Sequence, residues 1–226
     1  MKIVKLLFLI PVLASCQNSV NNRPAAQKTT KGKDPVALQV TFKKLTGSDG
    51  ALVTDNIILK KNLDILYKRA VPGNFSTQYA VLADLGLHSG SKRMYLVNLS
   101  TKTILQKALV THGSSTTYLP AGQRQYSNVE GSLCSSLGMY KIGAAYQGSF
   151  GLAYKLYGLD ADNSNAYPRA IVLHSHSCVP DEETEHPICQ SWGCPTVSPA
   201  FLQTLAGYID ASNKPELLYI FDSSKN

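Results

Sequence analysis

Residues 168–199 (PRAIVLHSHSCVPDEETEHPICQSWGCPTVSP) hold three of the five histidines, three of the five cysteines and the only tryptophan of the 226-residue chain. Thiols and imidazoles grouped in this way suggest nucleophilic chemistry. A free thiol has a pKa of about 8.5, so it is mostly protonated near neutrality and needs a neighbouring base. Cys194, in Ser191-Trp192-Gly193-Cys194-Pro195, is the candidate nucleophile. Gly193 before it permits a tight turn and close approach of a ligand. Such a turn can aim consecutive backbone N–H groups, here those around Gly193 and Cys194, at one point, as an oxyanion hole requires. His174 and His176 are the available bases. Read as a strand, 171–176 puts Val172, His174 and His176 on one face, with Cys178 next in that series.

Between base and nucleophile lies an acidic loop with Asp181, Glu182, Glu183 and Glu185. Cys178 and Cys189 flank it and could close a disulfide beside the nucleophile, a loop closure that typically contributes about 2–4 kcal/mol. Together with His174, His176 and Cys194 they also number enough N and S donors for tetrahedral zinc. The spacing lacks a CxxC knuckle, so no metal is expected. Cys134 is either a free buried thiol or a further disulfide partner. His112, at the end of a strand-like run, either lines the substrate cleft or is structural. Arg169 could meet a substrate carboxylate or pair with a surface acid.

Such residues need a scaffold, and the sequence from about 77 onward reads as strands. QYAVLADLG, RMYLVNL, TILQKALVT, LGMYKIG, GLAYKLYG, RAIVLHS and ELLYIF are rich in Val, Ile, Leu and Tyr and separated by turn residues. Segments 89–92 and 98–102 read as hairpin turns. Two helices are expected. One spans 55–69, with Ile58, Leu59, Leu63 and Leu66 on one face and Asp55 or Asn56 as cap. The other begins with Ser198 as N-cap and Pro199 in the first turn, with Phe201, Leu202, Leu205 and Ile209 on its inner face. Tyr140, Tyr146, Tyr154 and Tyr157, at strand spacing, are expected in the core or on a sheet face.

The N-terminus reads differently. A basic start with Lys2 and Lys5, an apolar run over 6–13 and small residues before Cys16 form a secretory signal ending in what resembles a bacterial lipobox. Residues 1–15 are therefore expected to be a lipoprotein signal peptide, with Cys16 lipidated. Residues 16–33 form a polar tether, 34–74 an N-terminal helical segment and 75–226 the catalytic domain. Gln17, where inner-membrane retention favours Asp, points to the periplasmic face of the outer membrane.

Composition sets outer limits. Apolar residues are 44% and charged residues 16%, which excludes a disordered chain. The sixteen glycines, eleven prolines and twelve tyrosines disfavour a heptad fibre. A net charge of +7 is compatible with an anionic polymer, but no basic stripe interleaved with aromatics argues for nucleic acid.

The run IVLHS, followed about twenty residues later by SWGCP, resembles the YkuD-type L,D-transpeptidase catalytic domain, in particular its SWGCP-bearing murein branch. Segments 92–99, 108–115, 126–143, 146–160 and 165–175 fit the same pattern, and the resemblance covers roughly 75–222. It implies a mainly β fold, a β-sandwich or open barrel with one packed C-terminal helix. Carried over residue by residue, it makes Cys194 the nucleophile and His174 the base, with Ser175 helping to orient the site. Ser191 and Gly193 fill the family's Ser-x-Gly slots. His176, Ser191, Trp192, His112 and Arg169 are the expected substrate-side residues. Asn128, Ser132, Ser135, Ser136 and Gly138 would border the same cleft as turn residues. The implied substrate is a peptidoglycan stem peptide, with no cofactor and a monomeric enzyme. Two departures stand out. Trp192 replaces the His usual in the superfamily, and Pro195-Thr196 replaces an apolar residue followed by Arg or Asn, so a substrate-binding side chain is missing there.

Overall fold

The computed structural model describes residues 56–120 and 122–225. The expected signal peptide (1–15), the Cys16 lipidation site, the tether (16–33) and residues 34–55 of the helical segment lie outside the described residues. Among the described residues no helix is long and apolar enough to cross a membrane.

Helix α1 (Ile57–Ala70) starts where Asn56 Oδ1 accepts the Leu59 N–H at 3.0 Å. Its buried stripe is Leu59, Leu63, Leu66 and Ala70, while Ile58 is exposed, so the inner face is rotated by one residue from the sequence expectation. The strands are β1 (Tyr79–Asp84), β2 (Met94–Asn98), β3 (Thr103–Ala108), β4 (Gly138–Gly148), β5 (Gly151–Gly158), β6 (Val172–Ser175), β7 (Thr196–Val197) and β8 (Leu217–Phe221). Helix α2 (Pro199–Asp210) has the expected cap, with Ser198 Oγ accepting the Phe201 N–H. All seven expected strands form. The two-residue β7 was not expected, because two residues carry no periodicity.

The strands form one sheet in the order β3-β2-β1-β8-β4-β5-β6-β7. β1–β8 and β6–β7 are parallel pairs, and the other neighbours are antiparallel. Alternation sorts the side chains. Val81 and Ala83 of β1 join the main core with Tyr140, Tyr154, Leu173, Val197 and α2 residues Phe201, Leu202 and Leu205. Ala80 and Leu82 face the other way, into a second cluster with α1, Val97 and Phe221. β1 is thus buried on both faces, which explains its nearly continuous apolar run. Removing the Leu66 side chain, which is fully buried under β1 and β8, should cost about 2–5 kcal/mol. Helix α1 shares this cluster with β1 and β8.

One core draws on every strand, so the sheet curls, and its two edges meet at one end. Just past β3, the Thr111 N–H donates to Thr196 O at 2.9 Å, and the Thr196 N–H returns to Thr111 Oγ1 at 3.1 Å. Ser191 and Gly113 form an isolated parallel bridge beside them. Of the two forms expected, this is the open barrel, fastened at the corner that carries Cys194.

Candidate active site

The turn before Cys194 is built by Ser191. Its Oγ accepts the Gly193 N–H at 3.2 Å and donates to Cys194 O at 2.6 Å. Its backbone is clamped by the segment after β3: the Ser191 N–H donates to His112 O, and the Ser114 N–H to Ser191 O. Gly193 has φ +109, and a Cβ there would lie 2.6 Å from Cys134 O and 3.1 Å from Ile171 Cδ1. Only glycine fits both demands. The Gly193 N–H, expected from sequence to face an oxyanion, donates to the Ser191 hydroxyl in this structure. The Cys194 N–H has no backbone or side-chain acceptor among the described residues and remains available.

Cys194 follows the turn, half-buried against the main core. Its Sγ accepts the Val172 N–H at 3.5 Å and lies 3.9 Å from Ala170 O. Burial pushes the thiol pKa up; the Val172 N–H and the positive charge of Arg169 oppose that rise. Arg169 lies on the 127–136 loop. It donates to Ser127 O, Ser136 Oγ, Ser132 Oγ and Cys134 O at 2.6–3.3 Å. Neither ion pair among the described residues involves it, so no surface acid neutralises its charge. Ser132 and Ser136 thus hold Arg169, while Ser135 Oγ accepts the Gly113 N–H and approaches Gly193 O. Cys134 is a buried free thiol.

His174 sits on β6 directly opposite Thr196 of β7. Leu173 points into the core, so His174 takes the outer face, where it is nonetheless buried. Nδ1 lies 3.1 Å from Ser175 O and Nε2 lies 3.0 Å from Thr196 Oγ1. A carbonyl can only accept, so the proton is on Nδ1 and Nε2 accepts from the threonine hydroxyl. Burial lowers the His174 pKa; the bond to Ser175 O works against it, and His176 adds to it. The ring is therefore neutral and basic at Nε2. Ser175 acts on it through its backbone carbonyl. No hydrogen bond joins His174 to Cys194: the thiol is turned to the β6 backbone two residues upstream.

The Phe150 ring, 59% exposed at the tip of the β4–β5 hairpin, stacks on His174 with centroids 5.0 Å apart. It also meets His176 edge-on. His176 Nδ1 accepts the Cys178 N–H at 3.0 Å, so this ring shapes the turn after β6. Cys178 and Cys189 form a disulfide, which takes two of the five donors a zinc site would have used. Among the described residues no group of three or more His, Cys, Asp or Glu could hold a metal ion. The acidic loop inside the disulfide is docked on the β1–β2 connection: Lys92 Nζ pairs with Glu182, the Lys92 N–H donates to Glu183 Oε1, and the Thr184 N–H donates to Gly90 O.

His112 is brought beside the turn by its backbone, but its ring is held from below. Arg93, with no exposed surface, donates to Val110 O, Leu85 O, Leu87 O and His112 Nδ1. Because a guanidinium only donates, His112 Nδ1 accepts, and the proton of the neutral ring is on Nε2. Burial, with Arg93 and Arg124 nearby, lowers the His112 pKa to about 3, so it stays neutral. Trp192 is 78% exposed.

Sequence reasoning missed Thr196, Phe150 and Arg93. The first could have been found from parity, two residues past Cys194 on a strand. A lone Phe between glycines at a hairpin tip and a lone Arg before a strand gave no signal.

The L,D-transpeptidase catalytic domain family matches residues 53–221. No curated protein matches the chain. Among solved structures, the chain is similar to the L,D-transpeptidase from Xylanimonas cellulosilytica: 14% identity, TM-score 0.35, with 68% of each chain covered. The helical cell shape determining protein Pgp2 from Campylobacter jejuni shows 14% identity and TM-score 0.39, covering 71% of this chain and 55% of that one. An L,D-transpeptidase from Mycobacterium smegmatis shows 12% identity and TM-score 0.36, covering 63% and 58%. With three quarters of its length inside that match, the chain belongs to the L,D-transpeptidase catalytic domain family.

Proposed function

We propose that this protein is a cysteine acyltransferase of the cell envelope that works on peptidoglycan stem peptides. The observation that carries the reading is the Ser191–Cys194 turn. It fixes a thiol against the strand that bears a neutral imidazole, with an uncompensated arginine alongside and the Cys194 N–H left open. Cys194 Sγ attacks the carbonyl of the third residue of a tetrapeptide stem. The carbon–nitrogen bond to terminal D-Ala breaks as the carbon–sulfur bond forms. His174 Nε2 takes the thiol proton and passes it to the departing amine. The thioester then goes to an amine of a second stem, or to water. Catalytic hydrogen bonds commonly tighten only when substrate is bound, so Nε2 exchanges Thr196 Oγ1 for the thiol at that stage. The Cys194 N–H stabilises the oxyanion, and removing one such donor typically costs about 10²–10³ in rate. Arg169 offers its charge to a stem carboxylate, in the role left open by Pro195-Thr196.

In the same reading Cys16 carries a lipid that holds a monomeric enzyme at the periplasmic face of the outer membrane. Incubation with a disaccharide-tetrapeptide tests the enzymatic part. Free D-Ala, absent with Cys194→Ala, supports it. A cross-linked dimer identifies a transpeptidase, and a tripeptide product an L,D-carboxypeptidase. A second reading is a murein-binding lipoprotein without catalysis. It is favoured by the turned-away thiol and by the Thr196 bond on Nε2. Binding to sacculi without D-Ala release, from folded protein with reduced Cys194, would select it.

A further inference from the structure

Phe150 is the large apolar side chain of the β4–β5 hairpin tip, where Gly148 pairs with Gly151. Its ring joins none of the three apolar clusters among the described residues, and more than half of it faces solvent. What the ring does meet is imidazole. It stacks on His174 with centroids 5.0 Å apart and planes within 21°, and it meets His176 edge-on at 5.4 Å. Ala153, paired with His174 across β5 and β6, carries only a methyl group and leaves the imidazole face open to it. His176 in turn holds the Cys178 N–H through Nδ1, so one ring joins the hairpin to the base and to the disulfide turn. A half-exposed phenyl gains only part of the burial free energy of a core residue, so packing alone is a weak reason for its place.

His174 becomes a cation when Nε2 takes the Cys194 proton. A base of this kind is commonly oriented by a third group, yet among the described residues His174 bonds only to Ser175 O and Thr196 Oγ1, and to no carboxylate. The acids that follow β6 are turned elsewhere, with Glu182 and Glu183 held by Lys92. The titratable groups around the ring are His176 in the turn after β6, Cys194 ahead of β7 and Lys155, which pairs with Val172 from β5. Two of these are cationic when protonated, and only the Cys194 thiolate can carry a negative charge. The remaining group of favourable sign is the Phe150 face, whose quadrupole attracts a cation lying over it within about 6 Å. We propose that Phe150 is a positioning residue for His174: its face holds the ring in place and stabilises the imidazolium that forms when Nε2 takes the thiol proton. The inference rests on the reading of His174 as the base and deepens it. Phe150 itself exchanges no proton; the proton passes from Cys194 Sγ to His174 Nε2 and on to the leaving amine.

The test uses the full-length protein with Phe150→Leu, which keeps apolar bulk over His174 but removes the π face, and Phe150→Tyr, which keeps the face. Two readouts are taken: the titration midpoint of His174 by proton NMR without substrate, assigned with His174→Gln, and kcat and KM for D-Ala release from a disaccharide-tetrapeptide. Phe150→Leu should lower the midpoint by about 0.5 pH and kcat about two- to fivefold, the range expected of a half-exposed cation–π contact, with KM unchanged. Phe150→Tyr should restore both. Fluorinated phenylalanines inserted at position 150 keep the shape while draining the face, and should lower the midpoint stepwise with fluorine count even if the leucine variant does not fold. A midpoint that stays put or rises in Phe150→Leu, or no trend across the fluorine series, overturns the proposal. A raised KM at unchanged kcat also overturns it, because Phe150 would then be a substrate contact. No D-Ala release from the wild type would sink the enzymatic reading alone, since the His174 midpoint is read without substrate.

Discussion

Gly193→Ala tests the turn that presents the nucleophile. At φ +109 a side chain is strained by about 1–3 kcal/mol. The new Cβ would also sit 2.6 Å from Cys134 O, a backbone atom that cannot rotate aside. Non-bonded atoms rest near 3.5 Å, so the two backbones must part by roughly 0.5–1 Å. That carbonyl accepts from Arg169 at 2.7 Å, a charged bond worth about 1.5–3 kcal/mol, part of which is lost as it moves. If the turn holds its place, the variant loses about 2–5 kcal/mol of stability by these two contributions. If the turn yields, stability falls less, but Cys194 shifts by up to an ångström and D-Ala release drops on the order of 10²-fold. Gly131→Ala separates strain from collision, because Gly131 has φ +74 and open space around it. Calorimetry and D-Ala release on both variants make the comparison. A Gly193→Ala protein with wild-type melting temperature and wild-type turnover would refute the reasoning.

Three further outcomes are expected. Burial raises the Cys194 pKa while Arg169 restrains it, so the midpoint of the rate–pH curve for iodoacetamide alkylation should lie above that of an ordinary thiol. Arg169→Gln should move it higher still; a midpoint that stays put or falls contradicts the assigned role of the charge. Glu216 is 1% exposed, neither carboxylate oxygen has a partner among the described residues, and burial lifts its pKa from 4.5 to about 7. A raised folded-state pKa gives stability that is complete below about pH 4.5 and lost as pH climbs through 7, about 3 kcal/mol in all. Denaturant melts should show Glu216→Gln flattening that decline, and an unchanged slope would dismiss it. Reducing the Cys178–Cys189 bridge opens an eleven-residue separation, which the chain-entropy relation values at about 3 kcal/mol. Melting with and without reductant should differ by about 6–12 °C for a domain of this size, and equal curves would contradict a stabilising role.

Most of the scaffold was legible because it follows local rules. Alternating Val, Ile, Leu and Tyr marked the strands, and Asn56 and Ser198 marked the helix starts. The face of α1 was misjudged by one residue, because Ile58 and Leu59 are equally apolar and only the sheet beneath decides between them. Sequence could not tell a sandwich from a barrel, since closure depends on Thr111 meeting Thr196, two polar residues with no pattern. At the site, the need for glycine at 193 and the pairing of Cys178 with Cys189 were readable from residue type and spacing. The bond from the Gly193 N–H to Ser191 was not readable, because it depends on where the Ser191 hydroxyl points. Thr196, counted as a lost substrate contact, instead meets the base, and Arg93 became visible only when the fold buried it under His112.

The central claim is that Cys194 forms an acyl-enzyme. Full-length protein mixed with disaccharide-tetrapeptide and quenched in acid should gain the mass of the stem minus D-Ala. The adduct should map to the peptide holding Cys194, be cleaved by hydroxylamine, and be absent in Cys194→Ala and strongly reduced in His174→Ala. No adduct at Cys194 in folded, reduced protein, or one that persists in Cys194→Ala, would contradict the account.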